Sequence, residues 1–376
     1  MDKALSVVNK KAWTKPLSSI RIATDAECVV ISGANVDSGE FISIKVCAKV
    51  IEEGCVYVHA DDIVKVYNVP GSITAGSEGG AFRVKNNKKC CEVKAFDYEN
   101  EFPKSPKFDF NANPSFRFKE PELLFALEKL KSFLASDDYT LERKPLLGGY
   151  NISGKKDRIV ACDAHRLGIH QLNATVYDRI DITIQGGTYK ILKKLADAKD
   201  EKDVDVYVGS KSKNVCFKGD DYVYISRLLT GEYLNVEPVM SREPDFEFTV
   251  SSKELGNIAK EYAKVAKGTW VPMCFIKHNN GLSAAISLAD YQTADKIETA
   301  TGIENISDDF VMCLDPKFVN ETVCVFDGGD IKMRAGANLM LGMRFENKDF
   351  NCMVLPCTGS SELINRIRKL VEKIEI

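Results

Sequence analysis

VYVHADDIVKVYNV (Val56–Val69) opens with alternating apolar and polar residues and closes with apolar residues at helical spacing. The phrase returns as ITIQGGTYKILKKL (Ile182–Leu195) and as FVMCLDPKFVNETV (Phe310–Val323). Period-two alternation predicts a half-buried strand, the polar or Gly/Pro corner ends it, and the three- and four-residue spacing predicts a short helix. Val58, Ile184 and Met312 hold equivalent places, 126 and 128 residues apart. A second phrase pairs an FxF strand with a longer helix. Phe116-Arg117-Phe118 leads into PELLFALEKLKSFLA, and Phe246-Glu247-Phe248, 130 residues later, leads into SSKELGNIAKEYAKV.

A period of about 127 residues implies three similar α+β domains, expected at 1–115, 116–243 and 244–358, with a helical tail at 359–376. The intervening PKSPKFDFNANP and SREPDF are polar and punctuated by proline, as linkers are. Between the phrases lie short alternating segments such as CVVISGANV, FISIKVCAKV, RIVACDAHRLGIHQL and FNCMVLPC. Asn279-Asn280-Gly281, Ser153-Gly154 and Gly219-Asp220 are placed to turn antiparallel hairpins. Each repeat is thus expected to hold one long and one short helix beside six to eight strands. The first repeat lacks the opening strand, and its first helix must fit within Asp2–Ala12.

Composition narrows the class. The 376 residues are 44% hydrophobic and 28% charged, which excludes a disordered or collagen-like chain. No apolar run approaches the roughly 18–20 residues of a membrane-spanning helix. The opening MDKALSVVNKKAWTK lacks a secretory apolar core, so a cytoplasmic protein is expected, with no membrane partner. The 12 cysteines include no CxxC pair and read as reduced, buried hydrophobes. Cys162, His165 and His170 lack a second pair at zinc-site spacing, so no metal and no cofactor are expected.

The net charge of −3 is unevenly placed. The six candidate helical stretches, 1–15, 60–67, 121–135, 188–199, 253–267 and 315–321, together carry +6, and the rest of the chain −9. In the third repeat Leu255, Ile258, Tyr262 and Val265 form an apolar stripe. Lys253, Lys260, Lys264 and Lys267 fall about 200° round the helix from it. In the second repeat Leu123, Leu127, Leu130 and Leu134 make the stripe and leave Lys129 and Lys131 outward; the short helix carries Lys190, Lys193, Lys194 and Lys199. Lys10, Lys11 and Lys15 add to the first repeat. Such a layer suits a polyanion contacted through phosphate alone, because no Arg/Asn/Gln recognition pattern accompanies it. The same lysines would also serve simply to solvate the backs of helices.

Four segments are more specific. They are Val160-Ala161-Cys162-Asp163-Ala164-His165-Arg166-Leu167-Gly168, Tyr224-Ile225-Ser226-Arg227-Leu228-Leu229-Thr230-Gly231-Glu232-Tyr233-Leu234-Asn235, Lys144-Pro145-Leu146-Leu147-Gly148-Gly149 and Met353-Val354-Leu355-Pro356-Cys357. In order and spacing they resemble the V-A-T-D-G-H-R-L, S-R-L-x-G-x-F-P-D-Y, R-P-x-L-x-G and M-P-x-R-L segments of the bacterial sliding clamps, the DNA polymerase III beta subunits. The resemblance covers essentially residues 1–357. It implies three clamp-fold domains per chain and a head-to-tail homodimeric ring, with helices lining a central channel around duplex DNA and antiparallel sheets outside. By position, Cys90–Phe96 and the end of the 253–267 helix would approach the subunit junction.

The resemblance also implies a groove that takes short apolar peptides of the DNA polymerase III catalytic subunit, the clamp loader and repair proteins. Carried over residue by residue, it comprises Leu147; Cys162, Ala164, His165, Arg166 and Leu167; Leu234, Pro238 and Val239; Leu314, Lys317, Leu339 and Leu341; and Met353, Leu355, Pro356 and Cys357. Leu234 stands where the family usually has proline, Val236 and Lys317 replace tyrosines, and Ala164 replaces glycine. These departures leave open a phage- or mobile-element-type paralogue with altered partners. Past the usual terminus, Leu363, Ile364, Ile367, Leu370, Val371 and Ile374 repeat at helical spacing, either as an added helix packed on the third domain or as a cover for the groove.

The rival class is a hydrolase using Asp163 and His165, which would share one face of a strand. No GxSxG, HExxH or GxxxxGK[ST] motif supports it, so a chain without chemistry of its own is expected, a non-catalytic subunit of the polymerase complex. Arg166 reads as a partner for the junction or for an incoming acidic peptide.

Overall fold

The structure, a computed structural model, describes the chain apart from residues 26, 67–68, 70, 197–200, 210–212, 279–280, 337–341 and 375–376 and the side chain of residue 305. It forms two compact units, Met1–Phe125 with Asn173–Thr230, and Ala126–Leu172 with Gly231–Ile376. The first unit opens with α1 (Asp2–Leu5), β1 (Ser19–Asp25), β2 (Cys28–Asn35), β3 (Glu40–Cys47), β4 (Cys55–His59) and α2 (Ala60–Val66). Then come β5 (Thr74–Glu78), β6 (Ala81–Lys85), β7 (Cys90–Lys94) and β8 (Phe116–Lys119), followed by α3 (Glu120–Leu130), inside which the unit boundary falls. The second unit takes α4 (Asp138–Arg143), β9 (Gly149–Ser153), β10 (Arg158–Cys162) and β11 (Arg166–Gln171). The first resumes with β12 (Ala174–Val176), β13 (Asp181–Gln185), α5 (Thr188–Leu195), β14 (Asp203–Val208), β15 (Asn214–Lys218) and β16 (Tyr222–Arg227). The second continues with α6 (Glu237–Met240), β17 (Phe246–Ser251), α7 (Ser252–Val265), β18 (Met273–His278), β19 (Gly281–Ser287), β20 (Gln292–Lys296), β21 (Val311–Leu314) and α8 (Pro316–Val323). It ends with β22 (Asp330–Ala335), β23 (Met343–Glu346), β24 (Phe350–Val354) and α9 (Ser361–Val371).

All three quoted phrases are a strand followed by a short helix: β4–α2, β13–α5 and β21–α8. The FxF segments are β8 and β17, each running into a longer helix. In the first unit one sheet has the order β12-β8-β14-β15-β16-β3-β2-β1-β4, and β5-β6-β7 form a separate one. In the second unit β9-β10-β11-β24-β23-β22-β17 run side by side, and β20-β19-β18-β21 form another sheet. One pattern therefore recurs: β8-β14-β15-β16 matches β17-β22-β23-β24, and β3-β2-β1-β4 matches β20-β19-β18-β21. The three-stranded β5-β6-β7 sheet is the counterpart, with no opening strand among the described residues. The Ser153-Gly154 and Gly219-Asp220 turns join antiparallel pairs. Asn279-Asn280 lies outside the described residues.

The helices sit on these sheets by their apolar faces. On α5, Tyr189, Ile191, Leu192 and Leu195 are buried at helical spacing; each such side chain contributes about 1.5–3 kcal/mol by leaving water. The small α1 fits against β2 because position 33 is glycine, where a Cβ would lie 2.5 Å from the Ala4 carbonyl oxygen. On α7 the buried stripe is Ser252, Leu255, Ala259 and Tyr262, not the expected Leu255, Ile258, Tyr262 and Val265. Small Ala259 permits the close approach, and the Tyr262 hydroxyl reaches Asp295 on β20 at 2.6 Å, which fixes the rotation. The stretch expected as a helix over 1–15 is helical only over α1, and α4, starting where the Asp137 carboxylate accepts from Thr140 N at 2.8 Å, was not foreseen. Among the described residues no helix is long and apolar enough to cross a membrane.

Candidate functional site

Within the second unit, β10 and β11 are joined by the turn Asp163-Ala164-His165. Its backbone needs a left-handed residue, and Ala164 supplies φ +73° where a glycine would be unstrained. Asp163 closes the turn: Oδ1 accepts from the backbone N–H of His165 at 2.9 Å and of Arg166 at 2.6 Å. Its Oδ2 accepts from the Arg166 guanidinium at 2.9–3.0 Å. Arg166 also donates to Glu321 on α8 and to the Ser132 carbonyl, and it stacks on Phe318 at 4.3 Å. With its side chain 5% exposed, Arg166 is a clasp between the turn, α8 and the 3-10 turn that follows α3. Of the two expected roles, a partner for the junction or for an incoming acidic peptide, the contacts favour the first, because the donors are already engaged by Asp163, Ser132 and Glu321. Asp163 and His165 stand in a turn and not along one strand face, and the His165 ring lies against Phe318. Burial pushes the Cys162 thiol up, opposing thiolate chemistry.

Beside the turn, Leu147, Cys162, Leu167 and Met353 meet in one apolar cluster with Ala135, Val160 and Val236. Leu141, Ile169, Tyr233 and Met240 pack against it. The β11–β24 register, Leu167 opposite Met353, brings together residues far apart in the chain. Leu234, Val239 and Leu355 remain 49%, 37% and 38% exposed, a large apolar surface for water to wet. Leu355 is held by its N–H on the His165 carbonyl at 2.9 Å. Ala164, His165, Lys317 and Pro238 are exposed, and Pro356 half-buried.

Other assigned residues lie elsewhere. Leu314 is fully buried on β21 opposite Met273 and is not among the residues of this cluster; strand alternation turns it away from the face on which Val311 and Cys313 meet the C-terminal helix. Cys357 donates its N–H to Cys313 and belongs with β21. Leu339 and Leu341 lie outside the described residues. Val236, read from the sequence as a departure, is 3% exposed and fills the cluster. Tyr233, Met240 and Leu141 went unassigned; for Tyr233 and Met240 their helical spacing with Val236 was the signal available, and for Leu141 the sequence offered none.

Of the assigned lysines, Lys190, Lys193 and Lys194 on α5, Lys253, Lys260 and Lys264 on α7, and Lys267 just beyond it are exposed. Lys11 and Lys15 are exposed outside any α-helix, and Lys10 pairs with Asp61 at 3.6 Å. Lys129 departs from the outward reading: its side chain is 15% exposed and bound to Asp327. Lys131 pairs with Glu128 at 3.5 Å, and Lys199 lies outside the described residues.

Residues 131–235 match the family model of the DNA polymerase III beta subunit, central domain. The beta sliding clamp of Staphylococcus aureus (strain Mu50 / ATCC 700699) is 21% identical over 273 residues, 68% of each chain. The beta subunit of DNA polymerase from Streptococcus pyogenes superimposes with a TM-score of 0.82 at 16% identity, over 95% of this chain and 96% of that one. The Helicobacter pylori beta clamp bound to DNA ligase peptide does so with a TM-score of 0.75 at 17% identity, over 95% and 96%. Strand order and repeated phrases together with these matches define the class, an α+β protein of the DNA-clamp fold. Within that fold the chain is similar, at low sequence identity, to the bacterial DNA polymerase III beta subunits, the sliding clamps.

Proposed function

We propose that the chain is a sliding clamp that closes head to tail with a second copy into a ring around duplex DNA and acts as a processivity factor. In this reading each chain supplies three clamp domains, 1–115, 116–243 and 244–358. The carrying observation is a rule of strand pairing within the chain. The last strand of one repeat's second sheet pairs with the third strand of the preceding repeat's meander: β16 with β3, and β24 with β11. These ladders join neighbouring repeats into common sheets, so the two compact units cut across the repeats. Applied once more, the rule pairs β7 of one copy with β20 of another, and both are terminal strands of their sheets. Open edges of that kind invite further pairing, and a closed ring removes them. Light scattering is expected to give about 84 kDa, twice the 41.8 kDa chain. A concentration-independent value of one chain mass overturns the ring.

DNA held by encirclement needs only weak phosphate contacts, which suits the exposed lysines of α5 and α7. The cluster around Leu167 and Met353, with Leu234, Val239 and Leu355 open to solvent, is read as the groove for short apolar peptides of the polymerase, the clamp loader and repair proteins. The Helicobacter pylori relative, solved with a DNA ligase peptide, supports that assignment. Lys317, at the start of α8, gives this groove an added cation and favours a peptide with a neighbouring carboxylate. Replacing Leu234 and Leu355 together by glutamate is expected to weaken a fluorescent apolar peptide about tenfold or more. Unchanged affinity would place the groove elsewhere. The chain itself is read as non-catalytic.

A further inference from the structure

The two ladders that join neighbouring repeats are each crossed by the segment leading to the next repeat. At β16–β3 the crossing segment is 96–110. Its Phe96, Tyr98 and Phe102 pack on Ala34, Tyr57 and Phe41, and its Phe108 packs on Tyr207, Cys216 and Ile225 across the junction. At β24–β11 the crossing segment is 233–242. Tyr233, Val236 and Met240 pack on Val160, Cys162, Leu167 and Met353. Glu237 pairs with Lys156 and Arg158 on one side at 2.7–2.8 Å, and Arg344 of β23 donates to the Val239 carbonyl on the other. Each crossing segment therefore grips both partners of its ladder.

The chain beyond β24 stands in the same relation to the third meander. Helix α9 starts where the Ser360 hydroxyl accepts from Leu363 N at 3.1 Å. Its Leu363, Ile364, Ile367 and Val371 pack on Cys274, Ile276, Ala285 and Ala294 of β18, β19 and β20, and on Val311 and Cys313. The tail is thus the added helix on the third meander, and its apolar stripe is spent there, on residues distinct from the cluster around Leu167. One side only is engaged. Leu370 is half-buried, and Ile374, in the 3-10 turn that follows and packs beside β20, is 39% exposed.

We propose that α9 and its final turn form a strap over the subunit junction, whose open side, carrying Leu370 and Ile374, receives the β5-β6-β7 sheet of a second copy. The inference rests on the ring reading above. The occupant follows from the repeated arrangement: whatever crosses the edge of a meander seals it against the sheet paired there, and at β20 that sheet comes from another chain. The physical need is also greatest there. The in-chain ladders comprise four and five residue pairs and are backed by covalent linkage, which supplies a high effective concentration. A junction between chains has no such tether, and a five-residue ladder alone falls far below the roughly 1,200 Å² of a stable interface.

The test compares the full chain with Leu370→Glu/Ile374→Glu and with a truncation of residues 359–376, by sedimentation equilibrium over a wide concentration range. Truncation strips the cover from Cys274 and Ile276, so the double substitution, which leaves Ile367 and Val371 in place, decides. A dimer dissociation constant raised about tenfold or more, with thermal unfolding and apolar-peptide affinity unchanged, supports the strap. A full chain that dimerises and a double variant that dimerises equally well overturns the strap and leaves the ring standing. A full chain monomeric throughout overturns both.

Discussion

Replacing Lys193, Lys194, Lys260 and Lys264 by glutamate is expected to abolish retention of the protein on circular primed DNA while leaving the fold intact. All four side chains are exposed, on α5 and α7, and their helices are anchored by the opposite faces. Each lysine that neutralises a phosphate contributes close to one to the slope of log affinity against log salt. Four losses remove about four from that slope, and the new carboxylates repel the backbone besides. The cost to folding is small by comparison. Lys193 gives up its 2.9 Å contact with the Tyr189 hydroxyl, and glutamate in the last turn of either helix opposes the helix dipole by about 0.3–1 kcal/mol each. A thermal midpoint lowered by only a few degrees, with retention gone, separates the two effects. Unimpaired retention at low salt would contradict the assignment of these helices to DNA.

Arg166→Ala is expected to be among the most destabilising single substitutions in the second unit, by about 3–5 kcal/mol. The guanidinium joins Asp163, Glu321 and the Ser132 carbonyl, and the Asp163 side chain is only 10% exposed. Removing the cation leaves a buried carboxylate without its counter-charge, which costs more than the pair itself contributes. Arg166→Lys keeps the charge but loses the fork that serves three acceptors, and an intermediate loss follows. Urea unfolding measures both. A loss below about 1 kcal/mol, the scale of an exposed ion pair, would mean that the clasp is dispensable. Because the same turn fixes Cys162 and Leu167, Arg166→Ala should also weaken peptide binding, whereas Leu234→Glu/Leu355→Glu should do so without destabilising the fold.

Much of the local structure was legible in the residues. Alternation in VYVH and ITIQ, a short apolar run in FVMCL, and helical spacing after each corner specify strand then helix, because those patterns follow from backbone geometry and burial. The fine rotation of α7 was not legible: Ala259 and Ile258 are both apolar, and only the depth available beneath the helix selects the smaller one. For the candidate groove, Leu147, Cys162, Leu167 and Met353 could be assigned through motif resemblance, while Val236 could not, since filling a gap is a property of the surroundings.

Arg166 and Lys129 show the remaining division. Their charge and helical or turn position are written in the chain, but their partners, Glu321 and Asp327, lie 155 and 198 residues away. By itself the sequence determined the threefold repetition, the segregation of lysines and the amphipathic tail, all of which depend on neighbours a few residues apart. Tertiary structure alone decided which lysines are engaged by carboxylates, which apolar residues meet across β11 and β24, and which sheet the tail covers. Those outcomes depend on distances set by strand order and register, and no short-range period encodes them.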